Sequence, residues 1–287
     1  MAQRKGVPSV LFLTALLLGL SAVARADPAV LFSASGATPA AIQATVDAFR
    51  AQLGTLNPNV AGSFGSGRRE INWDGVPANF SAPNNLPANF FNVNSPRGAV
   101  FSTPGSGFQV SGATTDGGSG QPAAARFGNI NPSYTDNFQT FSPQRLFIAI
   151  GSTITDVNFF VPGATTPALV SGFGAVFTDV DLPNTTSLQF FDSNNNSLGT
   201  FFVASANNGL SFVGVTFGQA IVSRVRITSG NTALGPNDQN GNPVDVVAMD
   251  DFIYGEPVAT PEPTTMLLLG SGLAGIAAKV LKRRKTF

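Results

Sequence analysis

The chain has 287 residues, with sixteen Lys or Arg, sixteen Asp or Glu, and neither Cys nor His. Without those two residues there are no disulfides, thiol nucleophiles, Ser-His-Asp triads, zinc sites of the usual kind or histidine acid–base catalysis; carboxylate chemistry and oxygen-ligated metals remain. All sixteen acids but only eight cations, every one arginine, lie between Asp27 and Glu262, a net charge of −8 that argues against a nucleic-acid partner and favours divalent cations or neutral sugars.

The N-terminus has the three parts of a secretory signal. Arg4 and Lys5 are cationic, Val10 to Leu20 is apolar, and Ala24-Arg25-Ala26 is a small-residue cleavage site. Cleavage after Ala26 leaves Asp27 as the mature N-terminus. The h-region is short for a membrane span, which favours cleavage over an uncleaved anchor.

A short helix is expected next. Thr38 is placed as its N-cap, Pro39 as its first residue and Gly54 as its stop, with Ile42, Val46, Phe49 and Leu53 on one face. Residues 55–143 are rich in Pro, Gly, Asn and Ser. They hold short strand candidates at Glu70–Trp73, Ala99–Ser102, Phe108–Ser111 and Ala125–Asn129. Asp116 to Gly120 reads as a flexible loop, since it lacks the Lys and helix of a phosphate cradle.

From Leu146 onward, apolar runs recur about every ten residues between turn signals, through the last run at Val244–Tyr254. That spacing predicts an antiparallel β-sandwich. In Val222–Thr228, Val225 and Ile227 face inward while Arg224 and Arg226 face out. Of the aromatic residues, 25 are Phe, two Tyr and one Trp, so most are expected in the core rather than on a sugar-stacking platform.

The C-terminus is the most specific segment. Pro261-Glu262-Pro263 precedes an apolar run from Thr264 to Ala278, extendable through Leu281, and then Lys279, Lys282, Arg283, Arg284 and Lys285. Residues 264–281 make a helix of about 27 Å, a marginal span whose basic end stays cytoplasmic. Tripeptide, apolar helix and basic terminus together resemble the PEP-CTERM sorting signal of Gram-negative bacteria. The resemblance implies an exosortase-type membrane protease as partner and an envelope rich in exopolysaccharide. Stretches 69–76, 95–98, 172–181 and 248–254 are also similar to exported bacterial proteins with such tails, a likeness that carries no activity. The closing apolar-Asp-Asp-apolar strand is similar to that of lectin-like jelly rolls such as MAM-type and carbohydrate-binding modules.

The expected organisation is therefore a signal peptide (1–26), an N-terminal helical segment (27–62), a jelly-roll-like β-sandwich (63–256) and the sorting signal (257–287) with its transmembrane helix at 264–281.

Six acids are the candidate metal ligands: Glu70, Asp74, Asp179, Asp181, Asp250 and Asp251. On a regular strand Asp250 and Asp251 point to opposite faces, so one must enter the core, where a carboxylate needs a partner. Pairing of the first and last strands brings Glu70 or Asp74 toward Asp250 or Asp251, a site for structural Ca²⁺. Pairing with Arg68, Arg69 or Arg145, or with backbone donors, is the alternative. Asp192-Ser-Asn194-Asn-Asn196 begins like a calcium loop but lacks the required Gly and Glu, and a hairpin turn explains it better. A hydrolase of paired carboxylates, Asp179 with Asp250 or Glu70 with Asp181, is a further option that no motif selects.

The expectation for function is an exported, membrane-anchored and later surface-attached or matrix protein, not an enzyme, with a structural or carbohydrate-binding role. A carboxylate-based polysaccharide hydrolase or lyase is the alternative.

Overall fold

The computed structural model describes residues 28–113, 124–236, 243–260 and 271–272. The expected signal segment with Ala26, the tripeptide Pro261-Glu262-Pro263, nearly all of the expected membrane helix 264–281 and the expected Asp116–Gly120 loop lie outside the described residues. Among the described residues no helix is long and apolar enough to cross a membrane.

In chain order the elements are β1 (Val30–Gly36), α1 (Pro39–Leu53), β2 (Arg68–Ile71), a 3₁₀ turn (Ala78–Phe80), α2 (Phe90–Val93), β3 (Ala99–Ser102), β4 (Gly107–Val110), α3 (Tyr134–Asn137), β5 (Phe147–Ile150), β6 (Ile154–Phe159), β7 (Ala168–Leu169), β8 (Gly172–Val180), β9 (Ser187–Phe191), β10 (Ser197–Phe202), β11 (Ala206–Thr216), β12 (Arg224–Thr228), β13 (Ala248–Gly255) and β14 (Val258–Ala259). The chain is mainly β, and every strand pair is antiparallel.

One sheet runs β1-β11-β8-β13-β5-β4, and a second runs β10-β9-β12-β6-β3. The edge of β13 away from β8 is shared. Met249 pairs with Phe147 of β5, and Phe252 to Gly255 pair with Ile71 to Arg68 of β2. The two sheets share one core, with Phe173, Val213 and Phe252 from the first meeting Val157, Phe190 and Val225 from the second. This is the layered arrangement of a sandwich.

Burial patterns follow from what covers each sheet. β6 and β12 alternate strictly, so the outer face of the second sheet meets water; Val225 and Ile227 point in, as the sequence predicts. β8 and β13 are buried at every position. Their second face is covered by α1, whose Ile42, Val46, Phe49 and Leu53 pack on Val176, Phe212 and Ile253. Two glycines make room for this. A β-carbon on Gly174 or Gly214 would stand 2.9 or 2.8 Å from the Phe49 ring.

The predicted helix is present with the predicted face. Thr38 stands at its N-cap in an extended conformation without a side-chain capping bond, and Gly54 ends it at φ 96°. Residues 27–62 are not a separate segment, however. β1 pairs along its length with β11, from Val30↔Thr216 to Gly36↔Leu210, so the sandwich begins there. The edge strand Val-Leu-Phe-Ser-Ala-Ser-Gly alternates only over Phe32 to Gly36, with Phe32 and Ala34 half-buried, a short run that gives a weak sequence signal. The candidate strand at Ala125–Asn129 is a turn, because Arg126 and Phe127 take φ of 50° and 64°. Phe127 nonetheless packs in a smaller core with Tyr134, Phe138 and Leu146.

Candidate functional site

The site begins with an irregularity in β13. Met249 pairs with Phe177 and Phe252 with Ala175, so three steps on β13 match two on β8. The extra residue is a β-bulge, and bulges re-aim side chains. Met249 and Phe252 both face the sandwich core. Asp250 and Asp251 both turn their carboxyls to the opposite, helix-covered side. Asp250 accepts from Phe141 N (2.6 Å) and Ser142 Oγ (3.1 Å), and Asp251 accepts from Arg50 Nη2 (3.3 Å). The regular-strand expectation of opposite faces is thereby corrected, because it assumed an unbroken register. Neither carboxyl enters the apolar core; only the Asp250 carbonyl does, accepting from Trp73 Nε1 at 2.9 Å.

The two acids are buried side by side, and burial together with proximity sets their ionisation. The Asp250 carboxyl is raised well above the ordinary range by burial and then by the Asp251 charge. Asp251 is pushed up to about 6, chiefly by burial, against the favourable charge of Arg50.

Arg50, on the polar edge of α1, bridges this pair to β2. Its Nε and Nη2 donate to Glu70 Oε1 (3.1 Å) and Oε2 (3.0 Å). Arg68 Nε donates to Glu70 Oε1 at 2.7 Å. Sequence pairing of the first-noted and last strands is thus realised, with Glu70 opposite Ile253. Guanidinium groups stand where the calcium expectation placed a cation. Asp74 is held apart, accepting from Arg145 N at 3.2 Å, with its carboxyl raised first of all by burial.

Asp179 and Asp181 lie at the other end of β8 with Asp245, a residue that sequence reasoning passed over. Asp245 Oδ1 accepts from Asp181 N (2.9 Å), its Oδ2 from Thr185 Oγ1, and Asp179 accepts from Asn208 N (2.8 Å). Burial, then the neighbouring Asp181 and Asp245 charges, push Asp179 up to about 7. The six candidate ligands therefore fall in three places: Glu70 with Asp250 and Asp251 around Arg50, Asp74 against the Arg145 backbone, and Asp179 with Asp181 at the far end of β8. Among the described residues no group of three or more acids is arranged to hold a metal ion. The Asp192 segment is the predicted turn, with Asp192 Oδ1 accepting from Asn194 N and Asn196 N, both at 2.8 Å.

Two adjoining clefts open beside the acid network. One, of about 340 Å³, is lined by Arg50, Leu56, Glu70, Ser142 and Asp251. The other, of about 350 Å³, is lined by Trp73, Phe80, Phe90, Asn94 and Ser95. Asn72 and Arg97 line both. Arg97 donates from Nε to Glu70 O (2.9 Å) and from Nη1 to Ser95 Oγ, and sits 5.3 Å from the Phe91 ring centroid. Among the described residues it forms no ion pair. Burial, opposed by Tyr254 and reinforced by Arg69, lowers its pKa from the usual Arg value. Trp73 is 1 % exposed and stacked on Phe147 at 4.1 Å, so it is core, not a sugar platform.

Beyond the clefts the last strands lead to the C-terminal tail. Val258 and Ala259 pair with Leu169 and Ala168, and Thr260 N donates to Pro167 O at 3.2 Å. Residues 259–284 match the PEP-CTERM protein-sorting motif. The match begins on the last residue of β14, so the domain runs into the sorting motif without a spacer. The PEP-CTERM motif marks an exported chain, anchored during sorting and processed by an exosortase-type membrane enzyme. No curated protein and no solved structure matches the chain.

Proposed function

We propose that this exported domain is a non-catalytic structural or carbohydrate-binding module of an exopolysaccharide-rich envelope, displayed at the outer face of the membrane before release or attachment. The observation that carries the reading is the direct passage from β14 into the PEP-CTERM motif. It ties a folded β-domain to the export and sorting route. The lectin-like character expected from the sequence is supported by the two-sheet architecture alone, and a fold does not fix a ligand.

The paired clefts supply the binding surface of this proposal. Arg97 brings a guanidinium with no carboxylate partner among the described residues, beside Asn72, Asn94 and Ser95. That combination suits hydroxyls and the carboxylate of an acidic sugar. The experiment is cosedimentation of the exported protein with purified exopolysaccharide, neutral and uronate-containing. Binding that weakens at least several-fold in Arg97→Gln, with unchanged melting, supports the cleft; equal binding by both proteins removes it.

A hydrolase reading rests on one specific feature, the presence of Glu70 and Asp251 in the same cleft with Asp251 titrating near 6. Both acids are engaged by Arg50, which favours the binding role. Release of reducing ends from the polysaccharide, lost in Asp251→Asn and in Glu70→Gln, would replace the module by an enzyme.

A further inference from the structure

We infer that the end of the sandwich from which the sorting motif leaves is a lipid-facing rim, resting on the bilayer that holds the C-terminal segment. The inference uses the anchoring implied by the sorting motif and adds a contact surface to it.

The first observation is where the exposed apolar side chains lie. Among the described residues the large exposed ones are Val30, Leu31, Leu56, Val60, Phe64, Val93 and Phe202. All except Phe202 belong to one end of the domain. Val30 pairs with Thr216, Thr216 pairs with Gly172, and Phe173 pairs with Tyr254, so the start of β1 is level with the end of β13. The loop carrying Leu56, Val60 and Phe64 is bonded to that same end. Phe64 N donates to Glu256 Oε1 (3.2 Å), Gly62 N to Pro162 O (2.8 Å), and Glu256 N to Gly67 O (2.8 Å). Val93 joins through its neighbour Asn92, whose side chain bonds both Gly163 N and Ala164 O. Scattered surface hydrophobics are ordinary; six at one end are not.

The second observation is the position of the chain exits. Ala259 is at once the last residue of β14 and the first of the sorting motif, so the tail begins without slack. The described chain starts at Pro28, two residues before Val30, on the same rim. A domain anchored on so short a tether stands against the headgroups, and its nearest end meets them first. Apolar residues there are the ones that gain by partial burial at the interface. The firm attachment of the 55–67 loop, through the buried Arg69–Glu256 pair, presents Val60 and Phe64 as a fixed edge.

The chain has no cysteine, so single cysteines report single sites. The full chain is reconstituted in phosphatidylethanolamine–phosphatidylglycerol vesicles with an environment-sensitive fluorophore on Val60→Cys, Phe64→Cys or Val93→Cys. Ser205→Cys, an exposed position at the opposite end, is the reference, and Ile276→Cys reports on the anchor. The expected result is several-fold stronger quenching by shallow spin-labelled lipid at 60, 64 and 93 than at 205, with protection from aqueous iodide. Val60 and Val93 keep the test independent of Phe64, whose ring lies 5.3 Å from Arg69. Rim labels as open to iodide as position 205, while position 276 is lipid-quenched, would overturn the rim contact alone. A position 276 that is not lipid-quenched would overturn the anchoring on which it rests.

Discussion

Arg69 and Glu256 form a bidentate ion pair that water does not reach, with Nε to Oε2 at 2.6 Å and Nη2 to Oε1 at 2.9 Å. The two residues are 187 positions apart. Around them Arg69 donates to the carbonyls of Pro58, Gly62 and Pro96, and Glu256 accepts from Asn57 Nδ2 and Phe64 N. One buried pair thus ties β2, β13 and the 55–67 loop together at the end where the sorting motif leaves.

Removing one member of that pair leaves the other charge buried and unmatched, which costs about 3–5 kcal/mol. Arg69→Met and Glu256→Gln are each expected to lower unfolding stability by that order in urea titrations. A loss below about 1 kcal/mol in both would show that the pair does not organise this end.

Helix α1 is seated by a close approach of Phe49 to Gly174 and Gly214. Gly174→Ala or Gly214→Ala forces the ring outward, an overpacking penalty of about 1–3 kcal/mol. Limited proteolysis is expected to cut at α1 earlier in both variants. Unaltered cleavage and an unaltered urea midpoint would refute the close fit.

Trp73 is the only tryptophan, and it is enclosed by Phe91, Phe147 and Phe252. Its emission is expected to be blue-shifted and resistant to iodide. Trp73→Ala should destabilise the domain by about 3–5 kcal/mol. Red-shifted emission that iodide quenches in the folded protein would contradict the enclosed position.

Stability is expected to fall as pH rises from about 4 to about 7. Asp251 and Asp179 have folded values near 6 and 7 against an ordinary 3.8, so the folded chain binds more protons than the unfolded chain across that window. Their contribution is complete below the ordinary value and gone above the raised ones. Urea midpoints measured from pH 4 to 8 test the direction, and Asp179→Asn should flatten the upper part of the curve. A midpoint that climbs with pH, unaltered in Asp179→Asn, would contradict the burial argument.

The acids proposed from sequence as calcium ligands are met in part by Arg50, Arg68 and backbone N–H groups. The melting midpoint is therefore expected to be the same in EDTA and in millimolar calcium. A calcium-dependent rise, the signature of a ligand bound to the folded state, would restore the cation site.

The C-terminal sorting motif and the local elements are decided by the sequence itself. The sorting motif is read by composition along a few dozen residues; the α1 stripe Ile42-Val46-Phe49-Leu53 and the Asp192 turn rest on contacts within a turn or two of chain. The site was different in kind. Glu70 and the Asp250–Asp251 pair were visible as acids, and their approach followed from pairing of β2 with β13. Yet Arg50 lies 201 residues from Asp251, and no local pattern announces that α1 would set it between the two strands. The direction of Asp250 depends on one extra residue in the β13 register, a property of two strands together, not of either alone. Local composition determined where this chain is sent. Long-range pairing decided which charges face each other, because a carboxylate's partner is set by which distant strand lies beside it.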